Sequence, residues 1–191
     1  MTFVALVRHG ETDWNARGRL QGSSDIPLNE YGREQALEAA NELGRSRWDL
    51  LVSSPLSRAS ETADIIGASI GLSRSATFDD LAERHFGEAE GLSDFEAYSY
   101  WPDGRYPGME PRSDLIERGR SRLDALADEH PTGALVVVAH GGVIRAILDS
   151  VLRRPSPRIV NAGVSTLSNE SGKWTVHTVN SLPLGDYRWR F

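Results

Sequence analysis

The sequence predicts a three-layer α/β/α sandwich with a largely parallel central sheet and one antiparallel strand. Two observations carry this prediction. Short apolar runs of strand length alternate with stretches of about ten to fifteen residues at helical spacing, and the chain closes on two strand-like runs joined by a short polar turn. With 191 residues, no internal repeat and no Pro/Ser-rich linker, residues 1–191 read as a single domain.

The first run, Phe3 to Val7 in MTFVALVRHGET, is a strand that delivers Arg8 and His9 to its C-terminal edge. Gly10 then leaves the backbone free to approach a bound group, and Thr12-Asp13 can open a helical turn. Asn29 is placed to cap a helix whose apolar stripe is Tyr31, Ala36, Ala39, Ala40 and Leu43, running to about Arg45. Trp48 to Ser53 is the second strand, stopped by Ser54-Pro55. Ser57 to Ile70 has helical spacing through Ala59, Ala63, Ile66 and Ile70, with Arg58 in its first turn and Gly71 at its end. Ala76 to Phe78 is a weak third strand that leads to Glu83.

The segment at about 87–112 is rich in Gly, Pro and aromatics, among them Phe95, Tyr98, Tyr100, Trp101 and Tyr106. It is an excursion able to act as a lid with an apolar or sugar-stacking mouth, or simply to pack. Ser113 to Asp128 is helical by the recurrence of Leu115, Ile116, Leu123 and Leu126. Ala134 to Ala139 is the clearest strand; His140, Gly141 and Gly142 follow it, and Val143 to Leu152 returns to helical spacing. Val164 to Asn169 and Trp174 to Val179 form the closing hairpin. The tail from Ser181, ending in Trp189 to Phe191, either covers an interface or packs back on the sheet, which leaves a homodimer open.

Composition excludes several classes. A net charge of −6 argues against a general nucleic-acid or membrane surface and leaves room only for a focused anion pocket. There is no cysteine, so thiol nucleophiles, disulfides and thiolate metal centres are out. The N-terminus shows no leader pattern and no run of about 18 apolar residues occurs, so a cytoplasmic location is expected. Lys173 is the only lysine; arginine carries the remaining positive charge and needs positional evidence before any of it is read as functional.

That positional evidence is a coincidence of strand ends. The first strand ends at Arg8-His9, the second is followed by Ser54 and Arg58, the third by Glu83 and the fourth by His140-Gly141-Gly142. Each alone is bland: strand-terminal histidines usually cap or pack, and a lone glutamate is usually solvated. Together, on the edge where open α/β sheets bind ligands, they make a phosphoryl-transfer site. A neutral imidazole can attack phosphorus when fixed guanidinium groups neutralise the phosphate oxygens, and a carboxyl group can protonate the leaving oxygen. No metal-ligand spacing is present, and flanking arginines would repel a cation. No dinucleotide fingerprint or Walker loop occurs, so no cofactor is expected.

VRHGET, SSPLSRASETA, AERHFGEAEG and VAHGGVIR together resemble the histidine phosphatase superfamily, also called phosphoglycerate mutase-like, over nearly the whole chain. The resemblance implies that fold, and a transiently phosphorylated histidine at His9 beside the phosphate-binding Arg8. It further implies a second cradle arginine at Arg58, a proton donor at Glu83 with Gly87 and Gly91 at matching steps, and the second histidine at His140. Asn15, Gln21, Gly22 and Gly141 are implied as pocket residues. The chain departs from many relatives at His85-Phe86, positions expected to bear on substrate choice. Its short length favours a phosphomonoesterase acting on a small phosphorylated metabolite over a phosphoglycerate mutase. A non-catalytic binding module would lack one of the five key positions, and this chain keeps all five.

Overall fold

The computed structural model of the chain describes residues 1–184. Among these residues the centre is a seven-stranded sheet. Its strands are β1 (Thr2–Arg8), β2 (Leu50–Ser53), β3 (Ala76–Thr77), β4 (Ala134–Ala139), β5 (Val164–Glu170), β6 (Lys173–Val179) and β7 (Leu182–Pro183), in the spatial order β3-β2-β4-β1-β5-β6-β7. The β3, β2, β4 and β1 pairings are parallel. β5 is the expected reversed strand, and the two-residue β7 adds a second reversal in the stretch after Ser181. Around the sheet lie α1 (Asp13–Ala16), α2 (Glu30–Leu43), α3 (Ser57–Ile70), α4 (Asp94–Tyr100), α5 (Arg112–Glu129) and α6 (Gly141–Leu152).

Side-chain alternation along the two central strands makes the layers. Val4 and Leu6 of β1 and Leu135, Val137 and Ala139 of β4 share a core with Leu115, Leu123 and Leu126 of α5 and Val143, Ile144 and Ile147 of α6. On the opposite face Ala5, Val7, Val136 and Val138 meet Ala39, Ala40 and Leu43 of α2 and Ala59, Ala63 and Ile66 of α3. Both faces are covered, which is why β1 and β4 are continuous apolar runs rather than alternating ones. Each fully buried Val, Leu or Ile contributes roughly 1.5–3 kcal/mol, so the strand ends carrying the polar residues rest on the best-packed part of the molecule.

Three local expectations change. Tyr31 faces outward, 56% exposed, and Gly32 takes the inward position at the start of α2. Trp48 precedes the second strand rather than extending it: its indole N–H donates to the Leu43 carbonyl at 2.8 Å and its ring packs on Phe3. The excursion contains a helix, α4, opened by a capping box in which Ser93 and Glu96 satisfy each other's backbone N–H groups. The terminal Trp189 to Phe191 lies outside the described residues.

Gly10 has a different task from the one expected of it. A Cβ at Gly10 would lie 2.1 Å from the Gly32 carbonyl oxygen, and one at Gly32 would lie 2.1 Å from that of Glu11. The two glycines let the first turn of α2 press against the loop leaving β1, and Asn29 locks that approach: its Oδ1 accepts from the Gly32 N–H and its Nδ2 donates to the Glu11 carboxylate. Gly32→Ala should therefore lower stability by about 1–3 kcal/mol through overpacking against immovable backbone. Urea denaturation reads this, and an unchanged midpoint would show that the contact yields.

Candidate active site

Parallel pairing sets Arg8 opposite Ala139, so the first residues beyond the two strands, His9 and His140, are neighbours. The His9 N–H donates to the Ala139 carbonyl at 2.9 Å, and the two imidazole rings stand 5.0 Å apart, tilted by 59°. Beside them Ser54, just past β2, donates its N–H to Val138 and places its hydroxyl 2.8 Å from His140 Nε2.

A cleft of about 240 Å³ opens at this edge. Arg8, His9, Arg58 and Glu83 line it, as do Asn15, Gln21, Gly22 and Gly141. Of the nine residues singled out in the sequence, only His140 is not among the lining residues; it is fully buried and packs against the ring of His9.

His9 Nδ1 lies 2.6 Å from the Gly10 carbonyl. A carbonyl only accepts, so the proton belongs on Nδ1 and the lone pair on Nε2. Burial, then the charges of Arg8 and Arg58, push the proton affinity of this ring well below that of an ordinary histidine. Burial and the Arg58 charge do the same to His140, whose Nδ1 is buried without a hydrogen-bond partner.

The two guanidinium groups are held by carbonyl oxygens. Arg8 donates to Ile159, and Arg58, fully buried, donates to Ser24 and Gly22, each at 2.8 Å. Neither lies within ion-pair distance of a carboxylate among the described residues, and the Nε of each is buried without a partner. Their charge is therefore directed at whatever enters the cleft. Burial, with repulsion from Arg158 and Arg58, brings the Arg8 pKa down to about 10 despite the opposing pull of Glu83.

Glu83 reaches the site from the loop after β3. Its carboxylate accepts the N–H of Gly142 in the first turn of α6 at 3.0 Å and that of Arg84 at 2.8 Å. A Cβ at Gly142 would lie 2.2 Å from Glu83 Oε1, so the glycine is what admits the carboxylate. On the other side, Gln21 accepts from the Thr12 hydroxyl at 2.9 Å, which leaves its NH₂ as a donor group in the cleft it lines. Asn15 accepts from Asn161, which also donates to the His9 carbonyl.

One supporting residue, Glu90, was not legible in the sequence. Glu90 accepts N–H bonds from Ser23, Ser24 and Phe86 and an O–H bond from Ser24. Burial works to raise its pKa, and these hydrogen bonds outweigh it and hold the carboxyl below its ordinary range. It thereby ties down the loop whose carbonyls grip Arg58. Nothing in the local pattern marks this glutamate; its partners are distant in sequence. Arg145 also lines the cleft and was within reach of sequence reasoning because it lies one helical turn beyond Gly141, and Phe86, which the sequence marks as bearing on substrate choice, lines it as well.

The aromatic mouth does not form. Phe95, Tyr98 and Tyr100 are exposed on α4, Trp101 packs with its ring tilted against those of Tyr100 and Tyr106, and none of them lines the cleft. Ala97 is the buried face of α4, which turns the large rings outward. His85 likewise is spent on the loop, accepting the N–H of Gly87 at 2.8 Å. Among the described residues no group of three or more His, Asp or Glu side chains is arranged to hold a metal ion. The site as built selects an anion.

Residues 4–182 match the model of the histidine phosphatase superfamily (branch 1). The chain is 39% identical over 184 residues to a Bacillus subtilis protein called uncharacterized phosphatase PhoE, covering 94% of this chain and 95% of that one. It is 36% identical over 190 residues to the metal-independent phosphoserine phosphatase of Arabidopsis thaliana, covering 92% and 80% respectively. Among solved structures, mycobacterial glucosyl-3-phosphoglycerate phosphatase in complex with VO3 matches with a TM-score of 0.86 at 32% identity, over 94% of this chain and 99% of that one.

The two buried, neutral histidines should make stability depend on pH. Their folded proton affinities are depressed, so unfolding takes up protons once the pH falls below the unfolded value of about 6.5. Above that pH the stability is fully present. Below it, unfolding free energy should fall by up to about 1.4 kcal/mol per pH unit for each ring. Denaturation of wild type and His140→Gln at pH 7.5 and 5.5 checks this, the variant being expected to show the shallower dependence.

Proposed function

Because the chain belongs to the histidine phosphatase superfamily (branch 1) and is a hydrolase of that type acting on a small phosphorylated metabolite, we propose that it hydrolyses a phosphomonoester through a phosphohistidine on His9. The observation that carries this is the Nδ1 hydrogen bond to Gly10, which commits the lone pair to Nε2 in a cleft also lined by two guanidinium groups that make no ion pair among the described residues.

In the first half-reaction His9 Nε2 bonds to phosphorus as the bond from phosphorus to the ester oxygen breaks. The electron pair leaves on that oxygen, which takes its proton from Glu83. Arg8 and Arg58 hold the non-bridging oxygens, and His140 meets the transferring group from beside His9. The phosphoimidazolium keeps its Nδ1 proton on the Gly10 carbonyl, so the positive ring is stabilised without moving. In the second half-reaction the Glu83 carboxylate takes a proton from water, whose oxygen attacks phosphorus; the N–P bond breaks and neutral His9 is restored with inorganic phosphate released. Backbone N–H bonds from Gly142 and Arg84 orient the carboxylate for both steps. Asn15, Gln21, Gly22 and Gly141 shape the wall around the phosphate. Because His9 holds its proton so weakly, the nucleophile survives as pH drops through 6.5.

His9→Ala should abolish release of p-nitrophenol from p-nitrophenyl phosphate, and wild type quenched in alkaline denaturant should retain labelled phosphate in a linkage that is stable to alkali and labile to acid. Undiminished turnover in the variant would remove His9 from the assigned role. Net isomerisation of 3-phosphoglycerate without phosphate release would make the enzyme a mutase instead.

Glu83→Gln should cost about 10²- to 10⁴-fold on an alkyl phosphate, whose leaving oxygen needs a proton, and much less on p-nitrophenyl phosphate. Gly142→Ala, by displacing the same carboxylate, should show the same leaving-group dependence in a folded protein. Equal losses on both substrates would argue against an acid–base role for Glu83.

A further inference from the structure

We infer that Arg145 and Arg158 form a second anion site at the rim of the cleft, so that the substrate is a small phosphomonoester carrying another acidic group, either a carboxylate or a second phosphate. This rests on Arg8 and Arg58 holding the transferred phosphate.

Five arginines line the cleft, Arg8, Arg19, Arg58, Arg145 and Arg158, against two carboxylates, Glu83 and Asp94. With a phosphate dianion on Arg8 and Arg58, the remaining guanidinium groups are what a further acidic group on the same substrate can meet.

The surplus is located at two residues. Arg19 is occupied, donating to the Gly91 carbonyl and lying 3.8 Å from Glu96. The side chains of Arg145 and Arg158 make no hydrogen bond or ion pair among the described residues, although both are exposed and free to seek one. Arg145 stands one turn along α6 from Gly141 and so on the helix face that begins at the phosphate site. Arg158 immediately precedes Ile159, whose carbonyl holds Arg8, and its charge bears on Arg8. A substrate with a neutral tail leaves Arg158 repelling Arg8 and Arg145 without a counter-charge; one with a second acid relieves both. At about 240 Å³ the cleft is smaller than the roughly 300–1,000 Å³ typical of sites for drug-sized ligands, which favours a few carbons between the two acidic groups.

The test compares wild type with the Arg145→Gln/Arg158→Gln double variant on 3-phosphoglycerate, fructose 1,6-bisphosphate and glycerol 3-phosphate. Expected is a loss of about 10- to 100-fold in kcat/KM, mainly through KM, on at least one of the two probes with a second acid. The ratio to glycerol 3-phosphate should collapse accordingly, and in wild type it should shrink as salt is raised. The probe that responds identifies carboxylate or phosphate. A loss of equal size on glycerol 3-phosphate, or no loss on either diacid, overturns the proposal.

Calorimetric binding of the same three compounds to His9→Ala, with and without the two rim substitutions, separates this from the catalytic assignment. Absent or His9-independent turnover defeats the phosphohistidine mechanism, while the binding comparison still decides the rim: selective weakening of a diacid supports it, and unselective or absent weakening overturns it.

Discussion

Arg58, fully buried at the start of α3, is satisfied by the carbonyls of Gly22 and Ser24, and Arg8 at the end of β1 by the carbonyl of Ile159. Carbonyls satisfy hydrogen-bond geometry without cancelling charge, so neither cation is in an ion pair among the described residues and Glu83 acts on both only from a distance. Such an arrangement persists only where the acceptors cannot move away. Glu90 pins the loop that holds Arg58 from one side, and Asp25, accepting from the Ser57 N–H and hydroxyl, pins it to α3 from the other. The groups that keep the two cations in place therefore come from loops far apart in the chain, and both cations face one point of the cleft.

That point is where the histidines meet. Desolvation and the same two cations strip His9 and His140 of their ordinary proton affinity. The electrostatics that favour an anion in the cleft thus also keep the imidazoles unprotonated. Glu83 is treated differently: it is given backbone N–H donors at the start of α6 rather than a cation of its own, which keeps it within reach of the reacting oxygens without pairing it off. One cleft in this way holds an unprotonated imidazole, two guanidinium groups held by carbonyl oxygens and a carboxylate held by backbone N–H groups, each through a separate environmental device.

The packing beneath is what makes those devices accurate. β1 and β4 are buried on both faces, and a one-residue slip between them would separate His9 from His140. Groups carried on such strands are held more rigidly than groups on loops. The outer cleft is built with less constraint, from Phe86 and Asp94 on the excursion and from two arginines with no partner among the described residues. The inner wall and the outer rim thus rest on different elements and can vary separately.

The sequence by itself determined the layers and the strand ends, because strand and helix periods, caps and breakers are local: Val4 to Val7, Ala134 to Ala139 and the stripe of α3 state their burial directly. It also brought Arg8, His9, Arg58, Glu83 and His140 into view as residues at strand ends or in the loops and helix starts that follow them. Only the tertiary structure decided that Gly10 serves the contact with Gly32, that Glu90 supports Arg58, and that the aromatics of α4 turn away from the cleft. These depend on which distant segments meet and at what register. No local period records that, since a glycine facing a carbonyl from another element or a glutamate accepting from a distant loop has the same neighbours in sequence as one in open solvent.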